Sequence, residues 1–256
     1  MTETTAPAPL TAASPELSLD LIITCADGLE APLQTELTSF GIASEIKSTG
    51  RLAVTGTLRD LYSICLWSRV ASRVLMLIKR KNINAEYDVA EQLYGLAKSV
   101  NWIEQFSLEQ TFAIRLSVDK RVAVSQQFAM LRIKDAIADT FNEVYDSRPN
   151  VDSKNPDFSI FATVNDKQAE LYLDLSGTSL HRRGYRVAMT EAPLKENLAA
   201  ALLYSAGWHK KNEAGNAPFY NALVDPMCGS GTFIIEALLM HCDYAVGIDK
   251  AANQFG

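Results

Sequence analysis

The sequence predicts an α/β protein whose N-terminal part is α+β, and three observations carry that prediction. Residues 19–79 alternate strand-like apolar runs with helical stripes in a small βαββαβ layout. Residues 81–175 mix two longer helical stripes with alternating strands. Residues 221–240 read as a short apolar strand, a glycine turn and a helix, the unit that opens a parallel α/β sheet.

In order, residues 1–18 hold Thr, Ala, Pro and Ser with only two acids, too little apolar surface to offset the entropy of ordering, so a disordered tail is expected. A buried strand spans 19–25. A helix over 28–40 carries Leu29, Leu33, Leu37 and Phe40 at helical spacing, and Gly41 closes it. Residues 43–48 and 51–57 form a hairpin around Thr49-Gly50. A helix over 58–68 turns Leu61, Ile64 and Cys65 inward, and 74–79 returns as a strand. The second unit begins near Lys81, with a helix over 86–100 (Val89, Leu93, Leu96, Val100) and a strand over 111–118 whose other face includes Arg115. Ser125 caps a long helix to about 144, with Phe128, Leu131, Ile137 and Phe141 apolar and Arg132 and Lys134 polar. Pro149 and Pro156 bracket a loop, and 158–164 and 169–175 make a hairpin across Asn165-Asp166-Lys167. No repeat of fixed period is present.

Composition bounds the function. At 256 residues, 48% apolar and 21% charged, the chain has room for about two domains. No apolar run approaches the ~18 residues that span a bilayer, and residues 1–18 lack a basic segment followed by an apolar core, so a cytoplasmic location is expected. Cys25, Cys65, Cys228 and Cys242 form no CxxC pair, and His181, His209 and His241 have no zinc spacing, so neither disulfides nor a metal are expected. The net charge of −6 argues against a nonspecific nucleic-acid binder. Local charge differs: between Arg115 and Lys134 five cations face the single acid Asp119, and residues 181–186 hold three arginines and no acid. Arg115, Arg121, Lys134, Arg182, Arg183 and Arg186 are therefore candidate phosphate contacts of a confined polyanion site, against the plainer reading of a solvated face.

The most informative stretch is Asp225-Pro226-Met227-Cys228-Gly229-Ser230-Gly231-Thr232. Gly229 and Gly231 remove Cβ atoms where a ribose or amino acid would lie against the chain, and the following helix offers unpaired N–H groups to a carboxylate. Asp225 ends the strand, at the crevice where open α/β sheets bind ligands. A dinucleotide turn wants a third glycine where Ile234 stands, and a P-loop wants a lysine after the second glycine; both fit poorly. The stretch resembles the S-adenosylmethionine (SAM) loop of class I methyltransferases, particularly RNA and DNA amino-methyltransferases.

Other segments extend that resemblance. Ala26-Asp27-Gly28-Leu29-Glu30 is similar to the opening of the ferredoxin-like domain that accompanies THUMP domains. Residues 67–74, Arg148-Pro149-Asn150-Val151-Asp152, Asp174-Leu175-Ser176-Gly177 and Leu180-His181-Arg182-Arg183-Gly184-Tyr185-Arg186 resemble THUMP-linked guanine-N2 methyltransferases, in particular the branch acting on bacterial 23S ribosomal RNA. The resemblance implies a ferredoxin-like domain over 19–80, a THUMP RNA-binding domain over 81–186 and, over 187–256, the incomplete start of a Rossmann-like methyltransferase domain. It implies SAM as cofactor, RNA as partner, and cofactor contacts from Asp225, Pro226, Cys228, Gly229, Ser230, Gly231 and Thr232. Residues 192–202 resemble the segment before the SAM strand, which adds Lys195 and Glu196, although an amphipathic packing helix explains the same residues.

An exocyclic amine attacks a sulfonium methyl directly once it is held in line, so no covalent nucleophile is needed. Cys228 would be the thiolate for cytosine-C5 chemistry, but it stands inside the cofactor turn, away from a substrate base. The family's Asn-Pro-Pro-Tyr loop is absent, so catalytic residues are expected beyond Gly256 and the chain alone is expected to be inactive. The alternative is a stand-alone THUMP RNA-binding or adaptor module. Residues 245–249 read either as a second strand whose Asp249 binds ribose or as part of an insertion over 243–255. The insertion is favoured, and Asp249 is not counted as a site residue.

Overall fold

The computed structural model describes residues 18–186, 193–210 and 220–250. The expected tail through residue 17, residue 192 of the segment before the turn, and the end of the expected insertion lie outside the described residues.

Strands β1 (Leu19–Thr24), β2 (Glu45–Ser48), β3 (Arg51–Gly56) and β4 (Arg73–Asn82), with helices α1 (Glu30–Ser39) and α2 (Leu58–Trp67), form the βαββαβ unit. The strands lie in the order β2-β3-β1-β4, each antiparallel to its neighbour, which is the ferredoxin-like arrangement. The ends of the helices follow from local chemistry. Gly41 takes φ +77°, and the Ile42 N–H reaches back to the Leu37 carbonyl at 3.0 Å, closing α1 as a left-handed cap requires. Thr57 and Asp60 cap α2 reciprocally. Leu21, Ile23, Leu52, Val54 and Val74 on one sheet face pack against Leu33, Leu37, Leu61 and Ile64.

The second unit holds α3 (Val89–Lys98), β5 (Phe112–Val118), α4 (Gln126–Tyr145), β6 (Phe158–Val164) and β7 (Gln168–Asp174). Helix α3 starts later than the expected residue 86 because Asp88 accepts from the N–H groups of Ala90 and Glu91, at 2.9 and 3.1 Å. Ser125 caps α4 as expected. The buried stripe of α4 is Ala129, Ile133, Ala136, Ile137 and Phe141, whereas Phe128 and Leu131 point outward. Alanines let α4 approach α3 closely, and that phase turns the two larger side chains to solvent. A 3-10 turn at Trp102–Glu104, invisible to periodicity, buries Trp102 with its indole N–H on the Ala97 carbonyl at 2.8 Å.

Both units share one seven-stranded sheet, β2-β3-β1-β4-β7-β6-β5. β4 pairs with β1 on one side and with β7 on the other, from Leu75↔Asp174 to Asn82↔Gln168. The expected division between residues 80 and 81 therefore falls inside β4. The strand runs three residues past the expected end because β7 supplies hydrogen bonds to the basic run Lys79-Arg80-Lys81.

Helices α5 (Glu196–Ser205) and α6 (Thr232–His241) follow. The strand expected at 221–225 is not formed: these residues belong to no ladder of the described sheet, and Val224 is 83% exposed. An isolated strand has no partner for its backbone groups, so it does not persist. Residues 245–249 likewise form no strand, with turns over 246–249. The described part of the chain after residue 187 is docked by polar anchors. Asn197 donates to Ser72 Oγ at 2.9 Å. Arg69 donates to the carbonyls of Leu239 and Tyr244, and Lys250 to those of Ser176 and Thr178. Gly247 sits so close to the end of α2 that a Cβ there would stand 2.6 Å from the Cys65 carbonyl oxygen.

Candidate cofactor turn and nucleic-acid interface

The stretch from Asp225 to Thr232 forms a looped approach to α6. Asp225 Oδ1 accepts the Met227 N–H at 3.0 Å, and the Gly231 N–H bonds the Cys228 carbonyl at 2.7 Å. Gly229 and Gly231 both adopt positive φ, 51° and 76°. Gly231 is the N-cap of α6, and no side chain caps that helix, so the N–H groups of its first turn face outward for an acceptor. A Cβ on Gly229 would meet nothing within 4 Å, so open space lies over the turn. Cys228 is exposed within it.

One arginine holds this turn in place. The Arg186 guanidinium donates to Glu196 Oε1 at 2.5 Å, to the Leu194 carbonyl, to Ser230 Oγ at 3.3 Å and to Thr232 Oγ1 at 3.2 Å. Behind it Arg183, 3% exposed, pairs with buried Glu236 of α6 at 3.5 Å and donates to the carbonyls of Leu180 and Arg69. Tyr185 also donates to Glu236, at 3.0 Å. Burial pushes the Glu236 carboxyl above its ordinary value, and the Arg183 charge pulls it back. The same opposition acts on Glu36 of α1, where burial outweighs donors from Ser68, Arg69 and Val70.

The expected phosphate contacts separate into two groups. Arg183 and Arg186 are corrected: both are spent on internal acids and carbonyls, because a guanidinium is the side chain best able to satisfy several buried acceptors at once. Glu196 is likewise the buried partner of Arg186, one step removed from the turn. The others lie apart from one another. Arg182 and Lys134 are exposed, as is Lys195, which was expected beside the cofactor. Arg121 is exposed and bonds Asp119 through both Nε and Nη2. Arg115 stands on the sheet face opposite α3 and α4, 3.5 Å from Asp174 and bonded to Ser159.

That face holds a cluster which sequence reasoning missed. The sheet coils so far that Lys47 of edge strand β2 reaches Glu170 of β7 at 3.1 Å, across three intervening strands. Arg80 also bonds Glu170 at 2.9 Å, Tyr172 donates to it at 2.6 Å, and Arg51 lies 3.9 Å away. Three cations thus meet one carboxylate. The run Lys79-Arg80-Lys81 was the available signal, and alternation along a strand places Arg80 on this face. Burial alone would raise the Glu170 carboxyl, but the Tyr172 hydroxyl and the Lys47 and Arg80 charges outweigh it and hold the pKa at about 2, below the ordinary 4.5. A depressed acid contributes stability that is present above its unfolded pKa and lost as pH falls through the folded one. Chemical denaturation should therefore show stability falling from about pH 4.5 towards 2, with Glu170→Gln giving a flatter profile over that window. An identical profile for the variant would mean that the cluster is not coupled to folding.

Among the described residues no group of His, Cys, Asp or Glu is placed to hold a metal ion, and no helix is long and apolar enough to cross a membrane.

Three family models match in succession: the RlmL ferredoxin-like domain over residues 20–75, the THUMP domain over 87–174, and the RMKL-like methyltransferase domain over 183–254. The chain is 94% identical over its whole length to a ribosomal RNA large subunit methyltransferase K/L of Psychrobacter arcticus, and covers 33% of that protein. It is 46% identical over 229 residues to the protein of the same name in Acinetobacter baumannii, with 88% of this chain and 30% of the relative covered. The chain thus spans about a third of the length of the curated relatives it matches. Among solved structures it is similar to SMU.472 in complex with SAH, at 27% identity and a TM-score of 0.75, over 91% of this chain and 58% of the other. The chain thus carries, in this order, segments that match the RlmL ferredoxin-like domain, the THUMP domain and the RMKL-like methyltransferase domain.

Proposed function

We propose that this chain is the RNA-binding and cofactor-binding front of a SAM-dependent methyltransferase that modifies the exocyclic N2 of a guanine in 23S ribosomal RNA, in the cytoplasm. The observation that carries the reading is the turn with two left-handed glycines before the uncapped N-terminus of α6, in one chain with a THUMP-matched sheet. Bound SAM would supply an electrophilic methyl group on a sulfonium. The chain's residues do the holding. Gly229 and Gly231 admit the ligand against the backbone, the first N–H groups of α6 face a carboxylate, and Asp225, Pro226, Cys228, Ser230 and Thr232 form the wall of the turn. Arg186 fixes that wall from behind. Arg115, Arg121, Lys134 and Arg182 contact the RNA backbone. SAH bound to SMU.472 and the rRNA named for the Psychrobacter and Acinetobacter relatives support this assignment. Residues 1–256 alone bind RNA without transferring a methyl group, because among the described residues the stretch before the turn has no neighbouring strand to order it.

The test uses the protein at the full length of its relatives, with SAM and unmodified large-subunit rRNA, followed by mass spectrometry of the nucleosides. N2-methylguanosine is the expected product. Methylation on adenine N6 or cytosine C5 would overturn the assignment of the base, and RNA binding with no transfer at all would favour an adaptor.

A further inference from the structure

Beside the cofactor turn lies a cavity of about 490 Å³, lined among others by His181, Arg182, Arg186, Pro193, Lys195 and Glu196. Its charge is unbalanced. Among the described residues of the lining Glu196 is the only acid, and Arg186 neutralises it at 2.5 Å. Arg182 and Lys195 are left exposed and paired with no acid among the described residues. The two come from different stretches, one from the arginine-rich segment that leaves the THUMP-matched region and one from the N-cap of α5. None of residues 225–232 lines the cavity, yet Arg186 forms part of its wall and also bonds Ser230 and Thr232 of the turn.

We infer that this cavity is a phosphate-binding subsite for the RNA strand, in which Arg182 and Lys195 hold the backbone phosphate next to the nucleotide being methylated. The inference rests on the methyltransferase reading above and adds a location to it. A volume of this size exceeds what one small anion needs and suits a nucleotide segment. Two unpaired cations are what a phosphodiester seeks, whereas a carboxylate of the cofactor would lie on the turn, which is outside this cavity. Through Arg186, the wall that meets the strand is braced on the wall that meets the cofactor, so a phosphate seated here places its neighbouring base at a fixed distance from the turn.

The test is a salt titration of binding to a guanine-containing single-stranded RNA, alongside SAH binding by calorimetry, in the full-length protein. Arg182→Gln alone should make the log–log salt slope shallower by about 0.7 and leave SAH affinity unchanged, and adding Lys195→Gln should bring the change to about 1.4, at ~0.7 per single-strand contact. A control pair at exposed cations elsewhere, Arg59→Gln with Lys154→Gln, should leave the slope as it was. An unchanged slope in the first pair, or an equal change in both, would overturn the subsite. Lost SAH affinity with an unchanged slope would assign the cavity to the cofactor instead. Should the unaltered protein bind SAH but no RNA, the reading of the whole protein as an RNA enzyme fails with it.

Discussion

Gly231→Val should abolish cofactor binding in the enzyme that carries the whole methyltransferase domain while leaving it folded. Gly231 holds φ +76°, and a Cβ built there would meet only Ile235 Cδ1, at 4.0 Å. The fold itself therefore has room for a side chain. The backbone does not: a left-handed L-residue costs about 1–2 kcal/mol, and a β-branched one more. The turn responds by shifting out of the geometry that the ligand requires, and the added methyl groups occupy the approach over the first N–H groups of α6. Calorimetry with SAH should show affinity weakened at least about a hundredfold, equivalent to ~2.7 kcal/mol, with the circular dichroism spectrum retained. Unaltered affinity in the folded variant would show that this turn is not the cofactor's.

Arg183→Met should produce the largest loss of stability. Glu236 is fully buried and its charged partner is Arg183, at 3.5 Å with both side chains almost inaccessible. Removing one member of a buried pair leaves the other charge uncompensated, at about 3–5 kcal/mol. Two carbonyls, of Leu180 and Arg69, lose their donor as well. Urea denaturation at neutral pH should place the variant well below the parent, and pairing it with Glu236→Leu should recover much of the loss, since two apolar groups leave no orphan charge. The pH dependence has a definite sign. Burial raises the Glu236 carboxyl, and losing the Arg183 charge raises it further, so its protonated form is the one the fold tolerates. The deficit of the single variant is therefore largest above the folded pKa of Glu236 and narrows as pH falls through it. Equal stability of the variant and the parent would mean that α6 is held elsewhere.

What could be read from the sequence was local. Gly41 and Ser125 mark helix ends because a cap is chemistry between residues two to six apart. The hairpin of β6 and β7 turns at Asn165, whose side chain accepts from the N–H groups of Lys167 and Gln168. The glycine turn was legible because positive φ favours glycine, and both Gly229 and Gly231 adopt it. The pairing of β4 with β7 was not, since it joins residues about ninety positions apart and one of the joined segments is a basic run without apolar alternation. The roles of Arg183 and Arg186 were misread for a related reason. Charge in a sequence shows supply and not demand, and the acids that claim these two arginines, Glu236 and Glu196, lie 53 and 10 residues further on. The strand expected at 221–225 was apolar enough, but a strand is a property of its neighbours as much as of its own side chains.

The passage of β4 through both halves of the sheet changes how the molecule must come apart. A joint between two domains is ordinarily a hinge, where each side melts at its own temperature and thermal motion turns one against the other. Here seven residue pairs of β4 and β7 close the seam with backbone hydrogen bonds, and β1 grips the same strand from the other side. Heating should unzip the two units in a single cooperative step, and a protease that spares one should spare both. From the edge at β2 to the edge at β5 the backbone ladder is continuous, so a load applied at one edge is passed to the other through hydrogen bonds.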